Sequence, residues 1–244
     1  MPTIHVTLTA FNEARNIGPI LDGIYALDIP GWRNRTLVVD DGSRDETQGI
    51  ARDHGAEVVR LLMNLGQGHA LLVSFQAALA RAEDRDVIIE MDADGQHDPR
   101  FIPDFIKRLE QTGADIVVGS RILGSNHANA PFFRRTFLPH YTALINRVTG
   151  YAMTDSMCGF RAFRAGSLRR VSRVMDDMLE PQYIAAEMFI RFAKAGLTVE
   201  EIPIALADRF FGTSRKGFIR YGMGVLNAIV KTKLDKNYRR QRPI

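Results

Sequence analysis

With 244 residues, 45% hydrophobic and 25% charged, the chain can bury a sizeable core and has neither a disordered nor a fibrous composition. Its one cysteine, Cys158, excludes an intrachain disulfide and a cysteine-based zinc site. The net charge of +4 is mild, but basic residues gather from Arg134 onward and again from Arg209 to Arg242, which suits an anionic substrate or membrane surface and comes without any recognisable nucleic-acid-binding module.

Thr3 to Thr9 is β-rich and reads as a first strand. Asn12 is placed to cap a helix whose Ile17, Ile20, Leu21 and Ile24 recur at helical spacing. After the Pro30-Gly31 turn, Thr36 to Val39 forms a second strand ending in Asp40-Asp41-Gly42-Ser43, and Ser43 or Asp45 caps the next helix. Glu57 to Leu61 is a third strand, and Asn64, Gly66 and Gly68 lead into a helix from about His69 to Ala82. Val87 to Pro99 then reads VIIEMDADGQHDP. Its β-branched start is a strand buried on both faces, and Gly95 and Pro99 stop it. A helix through Gln111 and a strand at Ile116 to Val118 follow, ending in Gly119-Ser120-Arg121.

This strict strand–helix alternation predicts a mostly parallel α/β sheet. The second half is less regular. Phe132 to Val148 reads as a helix broken or kinked at Pro139. Phe160 to Phe163 is a short strand, Glu180 to Ala195 a helix, and Thr198 to Ile204 an edge strand because of Pro203. Phe218 to Leu234 forms an amphipathic helix with a basic end. No repeat or linker is visible, so the chain reads as one domain, 1–244, with a core over 1–216 and a basic C-terminal helix over 217–244.

Four groups fall at successive strand ends: Phe11 to Glu13, Asp40-Asp41, Asp92 to Gln96, and Ser120-Arg121. Parallel strands share that edge, so the groups should converge on one cleft. Alone, Asp40-Asp41 reads more readily as a loop or cap; convergence reverses that judgement. Asp92 and Asp94 are hard oxygen ligands suited to Mg²⁺ or Mn²⁺, and a metal held by so few protein groups keeps positions for phosphate oxygens. His97 is a weaker ligand candidate, since a loop histidine is more often merely exposed. Arg209, Arg215 and Lys216 lie in a glycine-containing stretch where cations could close on a diphosphate; a solvated basic loop is the bland alternative.

The segments AFNEARNI, DDGSRDET, NLGQGHAL, MDADGQHDP, VGSR, DSMCGFRAF and GTSRKGF, in this order, resemble glycosyltransferase family 2, most of all its dolichyl-phosphate mannosyltransferase branch. The resemblance covers nearly the whole chain. It implies a GT-A fold, a nucleotide-sugar donor with GDP-mannose first and UDP-glucose second, and a divalent cation. By resemblance, Thr9, Phe11 and Glu13 match the donor-binding end of the first strand, and Val39 and Asp41 match residues near base and ribose. Asp92, Ala93 and Asp94 match the D-x-D element, with Asp94 and Gln96 as the metal-binding pair. Arg121 matches the arginine after the fifth strand, Arg209 a diphosphate-binding arginine, and Arg215 a position commonly lysine in relatives. Arg135 matches an arginine that holds an acceptor phosphate, with Arg134 as its rival.

Relatives that transfer to a hydroxyl often carry an acidic pair at the position of Glu187-Met188, the second member acting as base. Met188 stands there instead, which favours an acceptor that is already ionised, a polyprenyl phosphate. Transfer to a hydroxyl with Glu187 as base is the alternative, and a non-catalytic nucleotide-sugar-binding subunit a further one. Asp155 is a candidate for orienting acceptor or sugar, or a helix cap. No signal peptide is evident. The expected location is cytoplasmic at the membrane surface, reached by the C-terminal helix or a membrane partner.

Overall fold

The computed structural model describes residues 1–124, 132–176, 184–206, 224 and 226–232. Seven strands form one sheet in the order β3-β2-β1-β4-β6-β5-β7. In chain order they are β1 (Thr3–Ala10), β2 (Arg33–Asp40), β3 (Glu57–Arg60), β4 (Val87–Asp92), β5 (Ile116–Ser120), β6 (Arg161–Arg164) and β7 (Val199–Pro203). The helices are α1 (Ala14–Tyr25), α2 (Thr47–Asp53), α3 (Gln67–Leu79), α4 (Ile102–Thr112), α5 (Phe132–Thr149), α6 (Ala165–Asp176) and α7 (Ile184–Lys194). Every pairing is parallel except those of β6, which runs antiparallel to both β4 and β5.

The centre of the sheet is apolar on both faces, as helices on both sides require. Ile4, Val6 and Leu8 of β1 and Ile88 and Ile89 of β4 are wholly buried, and Phe75 and Phe163 meet edge to face at 5.2 Å. At the amino edge, Asp86 accepts hydrogen bonds from the backbone N–H groups of Thr3 and Glu83, both at 2.8 Å. Asp115 ties three elements there. It accepts Thr198 N at 2.8 Å just before β7, the Ser167 hydroxyl from α6, and Arg170 at 3.1 Å.

Several expectations need correction. Asn12 does not cap α1. It sits at φ 57, its side-chain oxygen accepts Arg44 N at 2.8 Å, and the amides at the start of α1 are met instead by the first residue of α2 and the loop before it. Glu13 N donates to Thr47 Oγ1 at 2.8 Å and Ala14 N to Asp45 at 3.2 Å. Ser43 accepts Asn12 N rather than capping α2, whereas Asp45 does accept Thr47 N. Helix α5 runs through Pro139 without a break. Helix α6 was not expected; it turns Leu168 and Val171 into the core. Residues 180–183 of the expected Glu180 helix lie outside the described residues, as do most of 217–244. Residues 226–232 are helical. Their Ala228 and Ile229 are buried, Leu226 and Val230 are exposed, and Lys194 of α7 donates to the Thr232 carbonyl at 3.1 Å. The apolar face expected of this segment is thus divided between the domain and solvent.

Candidate functional site

The acidic floor stands where three parallel strands end in register. Thr9 is paired with Val39 on one side and Asp92 on the other. Beyond that row, Ala93 N donates to the Thr9 carbonyl at 3.3 Å and Asp41 N to the Ala10 carbonyl at 2.8 Å. The chain then turns at Gly95, φ +83, and Gln96 N donates to Asp94 Oδ1 at 3.0 Å. Asp94 is buried. Asp92 Oδ1 accepts the Gln67 side-chain amide at 2.7 Å. On its other side, a Cβ on Gly159 would lie 3.3 Å from Asp92 Oδ2, so the glycine leaves this carboxylate its clearance.

His97 is buried and stacked on Phe160, ring centroids 5.1 Å apart. Its Nδ1 accepts Asp92 N at 3.1 Å, which places its proton on Nε2 and leaves no lone pair for a cation. Burial pushes its pKa down, against the opposite pull of Asp92 and Asp94. The ring props the strand end; it is not arranged as a ligand.

The rim beside the ends of β1 and β2 is knitted from two motifs. Besides the Asn12–Ser43–Arg44 contacts, Asp41 accepts Leu65 N at 2.7 Å and Gly66 N at 2.9 Å, one on each oxygen. Gly42 makes this approach feasible, since a Cβ there would lie 2.6 Å from the Met63 backbone and its φ is +73. Asp41 therefore anchors the loop before α3. Phe11 is exposed at the mouth, and Glu13 accepts the Asn16 side-chain amide.

Opposite the acidic floor, Arg121 follows β5 and meets Asp155 in a fork: Nε to Oδ2 at 2.5 Å and Nη2 to Oδ1 at 2.7 Å. Asp155 is fully buried. Burial works against the Arg121 charge, but the carboxylates of Asp155, above all, and Asp92 outweigh it and raise its pKa. Glu201 of β7 accepts Thr154 N at 2.8 Å, Thr154 Oγ1 at 2.9 Å and Asp155 N at 2.9 Å. Beneath the floor, Arg161 Nη1 binds Glu90 at 3.1 Å and its guanidinium lies over Phe189, 5.2 Å from the centroid. Burial pushes Glu90 up to about 7, against the pull of Arg161. Cys158 is pushed up to about 12 by burial, so it is an inert thiol at neutral pH.

Glu187 is wholly buried in α7 and takes the fork of Arg191, Nε at 2.8 Å and Nη2 at 2.6 Å. That is the geometry of an ion pair inside the fold rather than of a base open to substrate. The first turn of α5 carries Arg134 and Arg135, of which only the backbone is described. Arg209, Arg215 and Lys216 lie outside the described residues.

The structure thus brings together Thr9, Val39, Asp92, Ala93, Asp94, Gln96 and Arg121. Gln67 and Glu201 were missed by sequence reasoning. A polar residue between two glycines at a helix start was a signal for Gln67; a glutamate in a short edge strand offered none. Among the described residues no three His, Cys, Asp or Glu side chains form a metal cluster. Two carboxylates with one amide oxygen nonetheless fit a hard cation that completes its shell with water and phosphate oxygens.

The sequence profile of glycosyl transferase family 2 matches residues 6–172. The chain is 32% identical over 231 residues to an undecaprenyl-phosphate mannosyltransferase of Micrococcus luteus, covering 90% of each chain. It is 33% identical over 184 residues to a dodecaprenyl-phosphate galacturonate synthase of Rhizobium johnstonii, covering 72% of this chain and 51% of that one. Among solved structures, glucosyl-3-phosphoglycerate synthase of Mycobacterium tuberculosis in complex with Mn²⁺, UDP and glucosyl-3-phosphoglycerate superposes with a TM-score of 0.66 at 22% identity, covering 96% of this chain and 79% of that one. Mannosyl-3-phosphoglycerate synthase of Rubrobacter xylanophilus gives 0.66 at 21%, covering 99% and 76%. The fold is GT-A, and with the family profile spanning the acidic floor and Arg121 alike, the chain belongs to glycosyl transferase family 2.

Proposed function

We propose that the chain is a metal-dependent, inverting hexosyltransferase that moves a sugar from a nucleotide sugar to a polyprenyl phosphate. Mannose from GDP-mannose is the first choice and glucose from UDP-glucose the second. The observation that carries the reading is the register of Val39, Thr9 and Asp92 beside Asp94, with the Arg121 guanidinium close enough to Asp92 to be stabilised by its charge. Two relatives named for sugar transfer to polyprenyl phosphates support the acceptor.

In this reading Thr9, Phe11, Glu13 and Val39 cradle the nucleoside, and Asp41 contributes by holding the loop that closes over it. Asp92, Asp94 and Gln96 would hold Mg²⁺ or Mn²⁺, which when bound would neutralise diphosphate charge. An acceptor phosphate oxygen attacks the anomeric carbon from the face opposite the leaving group. The bond from that carbon to the diphosphate oxygen breaks, and Arg209 and Arg215 take up the departing charge. Arg135 and Arg121 orient phosphate. No base is needed, because the phosphate is already ionised at neutral pH, and the burial of Glu187 agrees with that. Work of this kind belongs at the cytoplasmic membrane surface. A membrane partner subunit is the second route there.

The test offers labelled nucleotide sugars, with Mg²⁺ or Mn²⁺, to the full chain together with a short polyprenyl phosphate. Lipid-linked sugar from one donor, lost in Asp94→Asn, is the expected result. Transfer to a hydroxyl acceptor alone, or metal-dependent donor binding unchanged in Asp94→Asn, sinks it.

A further inference from the structure

Glu201 occupies an edge-strand position, paired in register with Val118, where a β-branched residue would serve the strand better. Its neighbour Glu200 meets Arg108 at 2.6 Å. Glu201 instead gives both oxygens to neutral donors on two consecutive residues: Oε2 to Thr154 N and Oγ1, Oε1 to Asp155 N. Thr154 is also tied to the end of β5 by its hydroxyl, 2.6 Å from Ser120 Oγ. Asp155, fixed in this way, takes Nε and Nη2 of Arg121 in its fork and also accepts Arg121 N at 3.2 Å.

The chain of contacts runs from the sheet edge to the site in three steps. Among the described residues, Arg121 Nη1 makes no hydrogen bond. Its two protons are left for an incoming anion. Because Asp155 offsets the arginine charge, what the pair offers a phosphate is mainly direction: a planar donor group held still before the ligand arrives. Holding it still beforehand lowers the entropy lost on binding. A tether on Asp155 therefore acts on phosphate affinity although it touches no ligand.

We infer that Glu201 is a positioning residue for phosphate capture, acting through Asp155 on the orientation of Arg121. The inference rests on the phosphate-handling reading above. It takes as ligand a phosphate of either the donor diphosphate or the acceptor lipid.

The experiment is a double-mutant cycle on the full chain, read by calorimetry with UDP plus Mn²⁺ in one arm and citronellyl phosphate in the other. Glu201→Gln keeps size and shape and removes the charge. It is expected to weaken binding about fivefold in at least one arm, a coupling of ordinary size, with the melting temperature recorded alongside. In an Arg121→Ala background the same change should alter binding less than twofold. Loss in the UDP arm alone assigns Arg121 to the donor, and loss in the lipid arm alone to the acceptor; both support the inference. Equal weakening in the two backgrounds, or binding unchanged in Glu201→Gln, overturns it while leaving the proposed function intact. A wild-type chain that binds neither ligand overturns the proposed function, and this inference with it. Should Glu201→Gln not fold, Glu201→Asp carries the same cycle, since it keeps the charge and draws the carboxylate back by one methylene from Thr154 and Asp155.

Discussion

Glu187 and Arg191 lie one helical turn apart with both side chains buried. Removing one charge strands the other, which typically costs about 3–5 kcal/mol. Glu187→Gln should therefore lower the denaturation midpoint steeply. Turnover per folded molecule should fall far less than the ~100- to 10,000-fold that loss of a general base brings, and paired unfolding and rate measurements check both. Gly159→Ala acts on the floor itself: the new methyl crowds Asp92 Oδ2, 3.3 Å from the ideal Cβ. Overpacking of this kind should weaken Mn²⁺ binding about tenfold, measured by electron paramagnetic resonance of the free ion. The carboxylates of this floor were legible because a β-branched run and a glycine bracket them. Asn12 was misread because its residue type favours both a helix cap and the left-handed backbone it actually adopts.

At the scale of elements, Asp115 is the knot between β5, β7 and α6. Burial raises its pKa, but the bonds from Ser167 and Thr198 and the nearby Arg170 outweigh that and hold it below the usual carboxylate range. A depressed folded value means stability that is present above the unfolded pKa and lost as pH falls through the folded one. Asp115→Asn should cost about 1–3 kcal/mol at pH 7 and flatten the acid limb below about pH 4, read from urea midpoints across pH. The alternation of strand and helix made β1 to β5 legible. Strand β6 was expected, but its direction was not, because RAFR is four residues with the first three buried, and burial on both faces carries no sign of direction. Its Arg161 is buried on Glu90, a pairing between residues 71 apart that no local pattern signals.

For the whole molecule, no helix among the described residues is long and apolar enough to cross a membrane. Leu226 and Val230 stand exposed one turn apart, and the sequence beyond them carries Lys231, Lys233, Lys236, Arg239, Arg240 and Arg242. Cosedimentation should show binding to vesicles containing phosphatidylglycerol and little to pure phosphatidylcholine. The bound fraction should drop as salt rises from 0.15 to 1 M, where the screening length shrinks from about 8 to 3 Å. The basic, amphipathic character of this end was readable; that the domain claims Ala228 and Ile229 for itself was not, since helical spacing leaves a face's partner unspecified.

The antiparallel strand β6 also sets a timetable for assembly. Strands β1 to β4 and their helices all precede β6 in the chain and are free to pair before it emerges, β1 with β4 across as long a stretch as later separates β4 from β6. The far edge of β4, Val87 to Glu90, finds its partner only when Arg161 to Arg164 arrives. On a ribosome the acidic half of the cleft would exist first, with a flat apolar strand bare along one side, the kind of template on which nascent chains stick together. Synthesis that stalls between Pro99 and Phe160 should therefore yield a sticky intermediate, and faster delivery of β6 should be what protects the cell from it.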